Sequence, residues 1–291
     1  MAFDLGALGR EGRSAWRRLK RVASYVVRGP DAELQDYARS APSAQNALDI
    51  FKGDWLSALP VPLTGLNAGS LPLFADERLR WGIQALGGVD GLRVLELGPL
   101  EGAHTWMLEQ AGASSVVAIE ANRRAYLKCL VVKELLGLQR ARFLCGDFVE
   151  YLRDTSESFD LCLASGVLYH LADPAGLVAR VARVAPRLFI WTQYYDQDAI
   201  ARNPRVARRF TASAPASSEG FVHTLYRFEY RRSRVFTSFC GGPASSSCWM
   251  TRDDILACCR HFGYDTMTVG CEEPAHPNGP SLALVARRVD A

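Results

Sequence analysis

The sequence predicts an α/β protein built on a doubly wound, Rossmann-like parallel sheet of seven strands with the last one antiparallel. Three observations carry this. Short runs rich in Val, Ile, Leu and Phe alternate with helix-period segments from Ala75 to Thr192. The first run, Arg93 to Gly98, passes through Pro99, Leu100, Glu101 and Gly102 straight into a helix. Carboxylates stand at or near the ends of the first three runs, at Glu96, Glu120 and Asp147. Apolar strands without polar alternation are buried on both faces, which is the environment of a parallel sheet covered by helices.

The elements follow in order. A helix near Ala75 to Leu86 leads into the strand Arg93 to Gly98, then a helix from about His104 to Ala111 and the strand Ser115 to Glu120. The alternation continues with helix Arg123 to Leu136, strand Arg142 to Cys145, helix Phe148 to Arg153, strand Phe159 to Ala164, helix Pro174 to Ala185 and strand Arg187 to Thr192. Tyr194 to Ser247 breaks the order: it is long, arginine-bearing and interrupted by an Ala/Ser/Pro stretch, Thr211 to Ser218, and a Gly/Ser stretch, Gly241 to Ser247. An insertion of that length in a compact domain reads as a substrate lid, taken here as 194–250. Thr251 caps a last helix reaching Phe262, with Asp253 and Asp254 in its first turn, and the strands Tyr264 to Val269 and Ser281 to Ala286 close the domain.

Upstream, Gly9 to Val27 carries Arg10, Arg13, Arg17, Arg18, Lys20 and Arg21 at helical spacing among apolar residues, the pattern of a basic amphipathic helix. Its plain reading is a solvated helix with one packed stripe; RNA or membrane-surface contact is the alternative. Asp31 to Phe51 is helix-compatible, and the Pro/Gly-rich stretch Leu59 to Pro72 is irregular. The expected organisation is an N-terminal segment, 1–74, and a catalytic domain, 75–291.

At 291 residues and 48% hydrophobic, the chain buries a full core. It has no apolar run of the roughly 20 residues that span a bilayer and no signal-peptide pattern, so a cytoplasmic enzyme is expected. A net charge of +3 demands no polyanionic partner. The eight cysteines include no CxxC pair, which points to reduced, mostly buried thiols and no metal; Cys240 and Cys248, flanking the Gly/Ser loop, are the pair to test.

The chemistry concentrates at the carboxyl ends of the strands, where doubly wound sheets bind ligands. Gly98 and Gly102 let backbone approach a ligand closely. Glu120, closing the second strand, stands where such domains place a carboxylate for ribose hydroxyls. The third strand ends in Gly146-Asp147-Phe148, a carboxylate for an adenine amino group and an aromatic face for its ring, and the fourth in Ala164-Ser165-Gly166 followed by Val167-Leu168-Tyr169-His170. Leu100, after Pro99, stands where the usual loop has its central glycine, which disfavours a pyrophosphate and hence a nicotinamide dinucleotide. Glu101 reads as a solvated helix-start carboxylate, and His104 either lines the pocket or caps and packs.

With these motifs in this order, the stretch from Ala75 to Arg287 resembles the class I S-adenosylmethionine-dependent methyltransferases. Within that class, Gly166-Val167-Leu168-Tyr169-His170 followed by Asp173-Pro174 is similar to the branch containing the tRNA wobble-uridine carboxymethyltransferase and many small-molecule relatives. The resemblance implies S-adenosylmethionine as cofactor. It assigns Glu96 to the methionine amino group through the loop, Glu120 to the ribose and Asp147 to the adenine, with Gly98, Gly102, Phe148 and Ser165 completing the cofactor site. It implies methyl transfer to a hydroxyl or amine of a small-molecule acceptor.

His170 is the first candidate for a base because imidazole titrates near neutrality, His223 the second, and Tyr169 faces the cleft. Tyr194, Tyr195 and Asp196, beyond the fifth strand, are expected to shape the acceptor. The aromatic and basic side chains of the insertion, Phe221, Tyr226, Phe228, Tyr230, Arg227 and Arg231, suit a flat or anionic acceptor. The rival within the resemblance is carboxymethyl transfer to tRNA, for which Lys52-Gly53 and Tyr169 match carboxylate-holding residues and the basic stretches around Arg17 and Arg231 suit RNA. From another class comes a scaffold that binds the cofactor without turnover.

Overall fold

A computed structural model describes residues 37–235 and 239–289, and the chain divides into two contact-defined units, Met1–Ala47 and Leu48–Ala291. The expected basic helix, Gly9 to Val27, lies outside the described residues, as does the start of the segment from Asp31. Of that segment only Ala44–Asp49 (α1) is helical among the described residues.

In the second unit the helix starts and stops follow local chemistry. Asp76 accepts a hydrogen bond from the Arg78 amide at 2.9 Å and caps α2 (Glu77–Leu86), which stops at Gly87 in the left-handed conformation, φ 81°. Asn122 caps α4 (Arg123–Leu136) by accepting from the Arg124 and Ala125 amides. Asp147 caps α5 (Phe148–Asp154), Asp173 caps α6 (Pro174–Val184) with Pro174 in the first turn, and Thr251 caps α9 (Arg252–His261) by accepting from the Asp254 amide, as expected.

Between these helices run β1 (Arg93–Leu97), β2 (Ser115–Glu120), β3 (Ala141–Cys145), β4 (Leu161–Ser165), β5 (Arg187–Gln193), β9 (Thr266–Glu273) and β10 (Ser281–Arg287). They form one seven-stranded sheet in the order β3-β2-β1-β4-β5-β10-β9. The pairs β1–β2, β1–β4, β2–β3 and β4–β5 are parallel, and β10 runs antiparallel to both β5 and β9. This is the predicted doubly wound sheet with its last strand reversed.

Side chains alternate across the strands and fill two apolar layers. Leu95, Leu97, Ile119, Cys162 and Ile190 face one layer, with α6 and α9 over them; Val94, Val116, Leu163 and Phe189 face the other, with Leu79 of α2 and Leu108 of α3 (Ala103–Gln110). The same alternation sends Glu96, two residues from Val94, toward α3. The carboxylate of the first strand is thus buried by the strand period.

The insertion after β5 is more ordered than its sequence suggests. Two short helices, α7 (Gln197–Ala201) and α8 (Pro204–Ala207), precede an antiparallel sheet β6-β7-β8 made of Phe210–Ser218, Phe221–Glu229 and Ser246–Trp249. The Ala/Ser/Pro stretch expected to interrupt the insertion is therefore a strand. It is the outer strand, largely exposed, and Pro215 is tolerated there because an edge amide needs no ladder partner.

A second correction concerns Glu101. It is not solvated: only 1% of the residue is exposed, and it forms an ion pair with the buried Lys128 at 2.9 Å. Its carboxylate also accepts from the Leu56 amide at 3.0 Å and the Ser57 amide at 2.9 Å, and Lys128 donates to the Asp54 carbonyl. These bonds tie a strap, residues 54–57, to the turn after β1, beside a small core of Leu48, Phe51, Trp55, Phe74, Ala103 and Val132. Removing one partner of a buried ion pair leaves the other charge uncompensated. Glu101→Ala is expected to destabilise the protein by about 3 kcal/mol, read as a lower urea midpoint at unchanged slope; an unshifted midpoint would contradict the burial.

Candidate active site

The turn after β1 shows how a leucine replaces the central glycine. Gly98, Leu100 and Gly102 all adopt left-handed backbone, φ 66°, 57° and 77°. Leucine pays roughly 1–2 kcal/mol for that conformation, and two contacts hold it there: its amide donates to a Glu120 carboxylate oxygen at 3.0 Å, and its carbonyl accepts from the Cys129 thiol at 3.6 Å. A Cβ on Gly102 would meet the Phe143 ring at 3.2 Å, so that glycine serves close packing of α3 as well as the turn.

Glu120 also accepts from the Asn122 amide at 2.8 Å, and only 8% of the residue is exposed. Burial raises its carboxyl above the ordinary range, and the amides of Asn122 and Leu100 oppose that rise. A carboxylate has about four acceptor positions, so two amides leave it capacity for ribose hydroxyls. Asp147 is exposed at the start of α5, its side chain accepting from the Val149 amide at 2.8 Å, while Phe148 packs half-buried on the core beside it. Ser165, at the end of β4, pairs in register with Trp191 of β5.

Glu96 is 2% exposed, and its side-chain partner is the Thr105 hydroxyl. Burial lifts its carboxyl to about 7, opposed by the nearby His104 charge and the Thr105 bond and assisted by Glu120. An acid held this way has no cation hydrogen-bonded to it and fits a ligand ammonium.

Around it lies a group that sequence reasoning missed. Buried Asp76 accepts from Arg78 at 2.8 Å and lies 2.9 Å from His104 Nε2, while the Arg78 guanidinium stacks 4.1 Å from the centre of the Trp191 ring. Burial alone would raise the Asp76 carboxyl, but the bonds from His104 and Arg78 outweigh it and hold the carboxyl well below its usual range. No sequence signal marks this group, because Asp76-Glu77-Arg78 reads as an ordinary helix start.

On the acceptor side, Tyr169 meets Trp191 and Trp249 edge to face, with ring centroids 5.9 and 6.0 Å apart. The side chains around Tyr169, Thr192, Trp249 and Met250 are packed too closely to admit a water molecule. His170 Nδ1 lies 2.8 Å from the Tyr230 hydroxyl of the insertion. Burial lowers the His170 imidazole to about 4, so it is neutral at neutral pH.

The other expected residues are not gathered there. His223 is 5% exposed, stacked on Phe221, with Nδ1 3.1 Å from the Phe221 carbonyl. It lies near the start of β7, whereas Tyr230, which His170 touches, follows the end of that strand about 20 Å further along an extended chain. Tyr194 is 4% exposed and donates to Glu272 at 3.3 Å; Asp196 caps α7; Tyr195 stacks on Tyr226 at 3.6 Å. Tyr194 and Asp196 thus each have a structural partner. Lys52 is exposed in the turn after α1. A recess lined by Leu56, Leu100, Asn122, Arg124, Phe239 and Cys240 brings the insertion loop beside both amides that Glu120 holds. All eight cysteines are free, with Cys129, Cys162, Cys258 and Cys259 buried and Cys145 and Cys240 exposed.

A family model described as a methyltransferase domain matches residues 95–187, from β1 to the start of β5. The N-terminal domain of EvdMO1, solved in the presence of SAH and D-fucose, superimposes with a TM-score of 0.65 at 21% identity, covering 84% of this chain and 95% of that one. Residues 95–187 thus match a methyltransferase domain, and the sheet has the fold of the class I S-adenosylmethionine-dependent methyltransferases. Among curated relatives, the tRNA U34 carboxymethyltransferase of Chromohalobacter salexigens is 33% identical over 201 residues, 63% of this chain and 59% of the relative. That of Psychrobacter arcticus is 32% identical over 97 residues, 31% of this chain and 27% of the relative. The chain thus matches less than two thirds of the length of either. The residues present fit the cofactor of the class: an under-neutralised buried carboxylate at Glu96, an amide-held carboxylate at Glu120, and a positive-φ turn between them.

Because Glu96 loses its proton near pH 7 in the free protein and pairs with an ammonium when ionised, affinity for S-adenosylhomocysteine is expected to rise as pH increases from about 6 to 8. Calorimetry at several pH values checks this, and Glu96→Gln should bind more weakly and flatten the dependence. A slope retained in Glu96→Gln would place the titrating group elsewhere.

Proposed function

We propose that the chain transfers a methyl group from S-adenosylmethionine to a hydroxyl or amine of a small-molecule acceptor that meets the wall formed by Tyr169 and Trp191. The observation carrying this reading is the pairing of a cation-seeking Glu96 on the donor side with a neutral His170 beside that wall. Glu96 would hold the donor's ammonium, Arg78 its carboxylate, Glu120 the ribose, and Asp147 with Phe148 the adenine. Arg78 suits its part because Asp76 and Trp191 already fix its guanidinium, so little side-chain entropy is lost on binding.

When bound, the cofactor supplies a methyl group already activated on a sulfonium. The protein then contributes placement and, for a hydroxyl or protonated amine, a proton acceptor. His170 can accept at Nε2 when Nδ1–H donates to the Tyr230 oxygen. The burial that keeps the imidazole neutral also favours rapid loss of the proton it takes. Tyr230 is thereby a positioning residue, fixing the tautomer from the insertion.

A second reading, carboxymethyl transfer to tRNA, is favoured by the names of the curated relatives. Against it stands Lys52, whose exposed turn offers no enclosed seat for an added carboxylate. Release of S-adenosylhomocysteine from S-adenosylmethionine, driven by a panel of sugars, phenols and amines, is the expected result. Turnover only with a carboxymethyl donor and tRNA would select the second reading, and donor binding without turnover of any acceptor would favour a scaffold.

Two substitutions test the roles. Glu120→Ala should weaken S-adenosylhomocysteine binding at least tenfold, about 1.5–3 kcal/mol for lost charged hydrogen bonds, and lower the thermal midpoint because the Leu100 and Asn122 amides lose their acceptor; undiminished affinity in calorimetry would remove Glu120 from the site. His170→Ala should lower kcat by about 100-fold while the affinity for S-adenosylhomocysteine persists. Normal turnover would exclude it as base.

A further inference from the structure

The insertion carries a marked excess of positive charge. Residues 194–250 hold eight arginines, Arg202, Arg205, Arg208, Arg209, Arg227, Arg231, Arg232 and Arg234, and no lysine, against the four carboxylates Asp196, Asp198, Glu219 and Glu229. Its surplus exceeds the net +3 of the whole sequence. Two of the four carboxylates are engaged: Asp196 caps α7, and Glu229 pairs with Arg227 at 2.8 Å.

The arginines are gathered rather than scattered. Arg231, in left-handed backbone at φ 50°, turns back to donate to the Arg208 carbonyl, which brings the 3-10 turn Arg231–Val235 against the end of α8. Arg209 donates to the Ser233 hydroxyl at 2.8 Å from the same side. Burial, and then the charges of Arg205 and Arg231, lower the Arg209 guanidinium below its usual value, as like charges in close company must. Among the described residues, none of Arg205, Arg208, Arg209 and Arg231 has a carboxylate within ion-pair distance.

This group is packed toward Tyr169 through two buried rings. The Arg209 guanidinium lies 5.4 Å from the Phe228 ring centre, Phe228 stacks on Trp249 at 4.7 Å, and Trp249 meets Tyr169. Tyr230, the residue before Arg231, is the one that holds His170.

We propose that Arg205, Arg208, Arg209 and Arg231 form a phosphate-binding site for the acceptor, which is therefore a phosphorylated small molecule, its reacting group at Tyr169 and its phosphate or diphosphate on the arginines. This deepens the small-molecule reading above and rests on it. A compact cluster of planar, always-charged donors suits one phosphate or diphosphate group, since guanidinium forks match phosphate oxygens pairwise. A nucleic acid backbone instead calls for cations spread along a track.

The test uses the full chain and inorganic pyrophosphate as probe, titrated by calorimetry into the wild type and into the double variant Arg205→Gln/Arg208→Gln, both exposed positions. S-adenosylhomocysteine affinity is measured on the same samples. The expected result is saturable pyrophosphate binding that the double variant weakens about tenfold or more, with S-adenosylhomocysteine affinity unchanged. Absence of saturable binding in the wild type, or equal affinity in the variant, would overturn the proposal. So would a tRNA transcript that binds the arginines and is not displaced by pyrophosphate. Failure of S-adenosylhomocysteine to bind the wild type would count against the donor site instead, and the pyrophosphate titration would still decide the arginines.

Discussion

The candidate site depends on one shared carboxylate. Glu120, at the end of β2, accepts the amide of Leu100 from the turn after β1 and the amide of Asn122 from the start of α4. Through the first bond it holds a non-glycine residue in left-handed backbone; through the second it fixes the entry to the helix that carries Lys128 and Cys129. A glycine-rich turn reaches its shape by having few steric restrictions. Here a bulkier turn reaches it by hydrogen bonding, and the group that organises the turn is the one assigned to the ribose. Turn shape and the proposed ribose contact would therefore rest on the same two oxygens.

What the sequence discloses and what it hides divide along the range of the interactions. Strand runs such as Val94-Leu95 and Val116-Val117 are legible because burial on both faces selects apolar residues locally, and Thr251 is legible as a cap because its partner is three residues away. The strand-end positions of Glu96, Glu120 and Asp147 follow from the same local pattern. Glu101 is not legible: its partners Lys128 and the Leu56 amide lie 27 and 45 residues away, and nothing near it distinguishes a buried carboxylate from a solvated one. The brace of Asp76, Arg78, His104 and Trp191 is hidden for the same reason, and β6 because an exposed edge strand need not look apolar. Tyr194 drew attention as an aromatic beyond a strand end, yet only its contact with Glu272 reveals a structural partner.

The insertion ties the two sides of the cleft together. Its Tyr230 reaches His170, and its Phe239 packs on Tyr230 at 5.0 Å and with Cys240 lines the recess beside Leu100 and Asn122. The candidate base and the margin of the donor site thus share one covering element. Binding specificity tends to reside in such covering elements, which vary more readily than the sheet that carries them.

Glu101 sits between Leu100 and Gly102, in the turn that would touch the donor, yet its own bonds go to the strap at Leu56 and Ser57 and to Lys128. Peeling the strap away would strip two amides from a carboxylate that only Lys128 would then satisfy, in surroundings where an under-bonded charge is costly. Opening of the strap by itself is therefore disfavoured relative to an opening that also releases the turn. In the language of hydrogen exchange, residues 54–57 and the turn after β1 form one cooperative unit, and amides in both are expected to share a protection level although nearly half a hundred residues separate them in the chain.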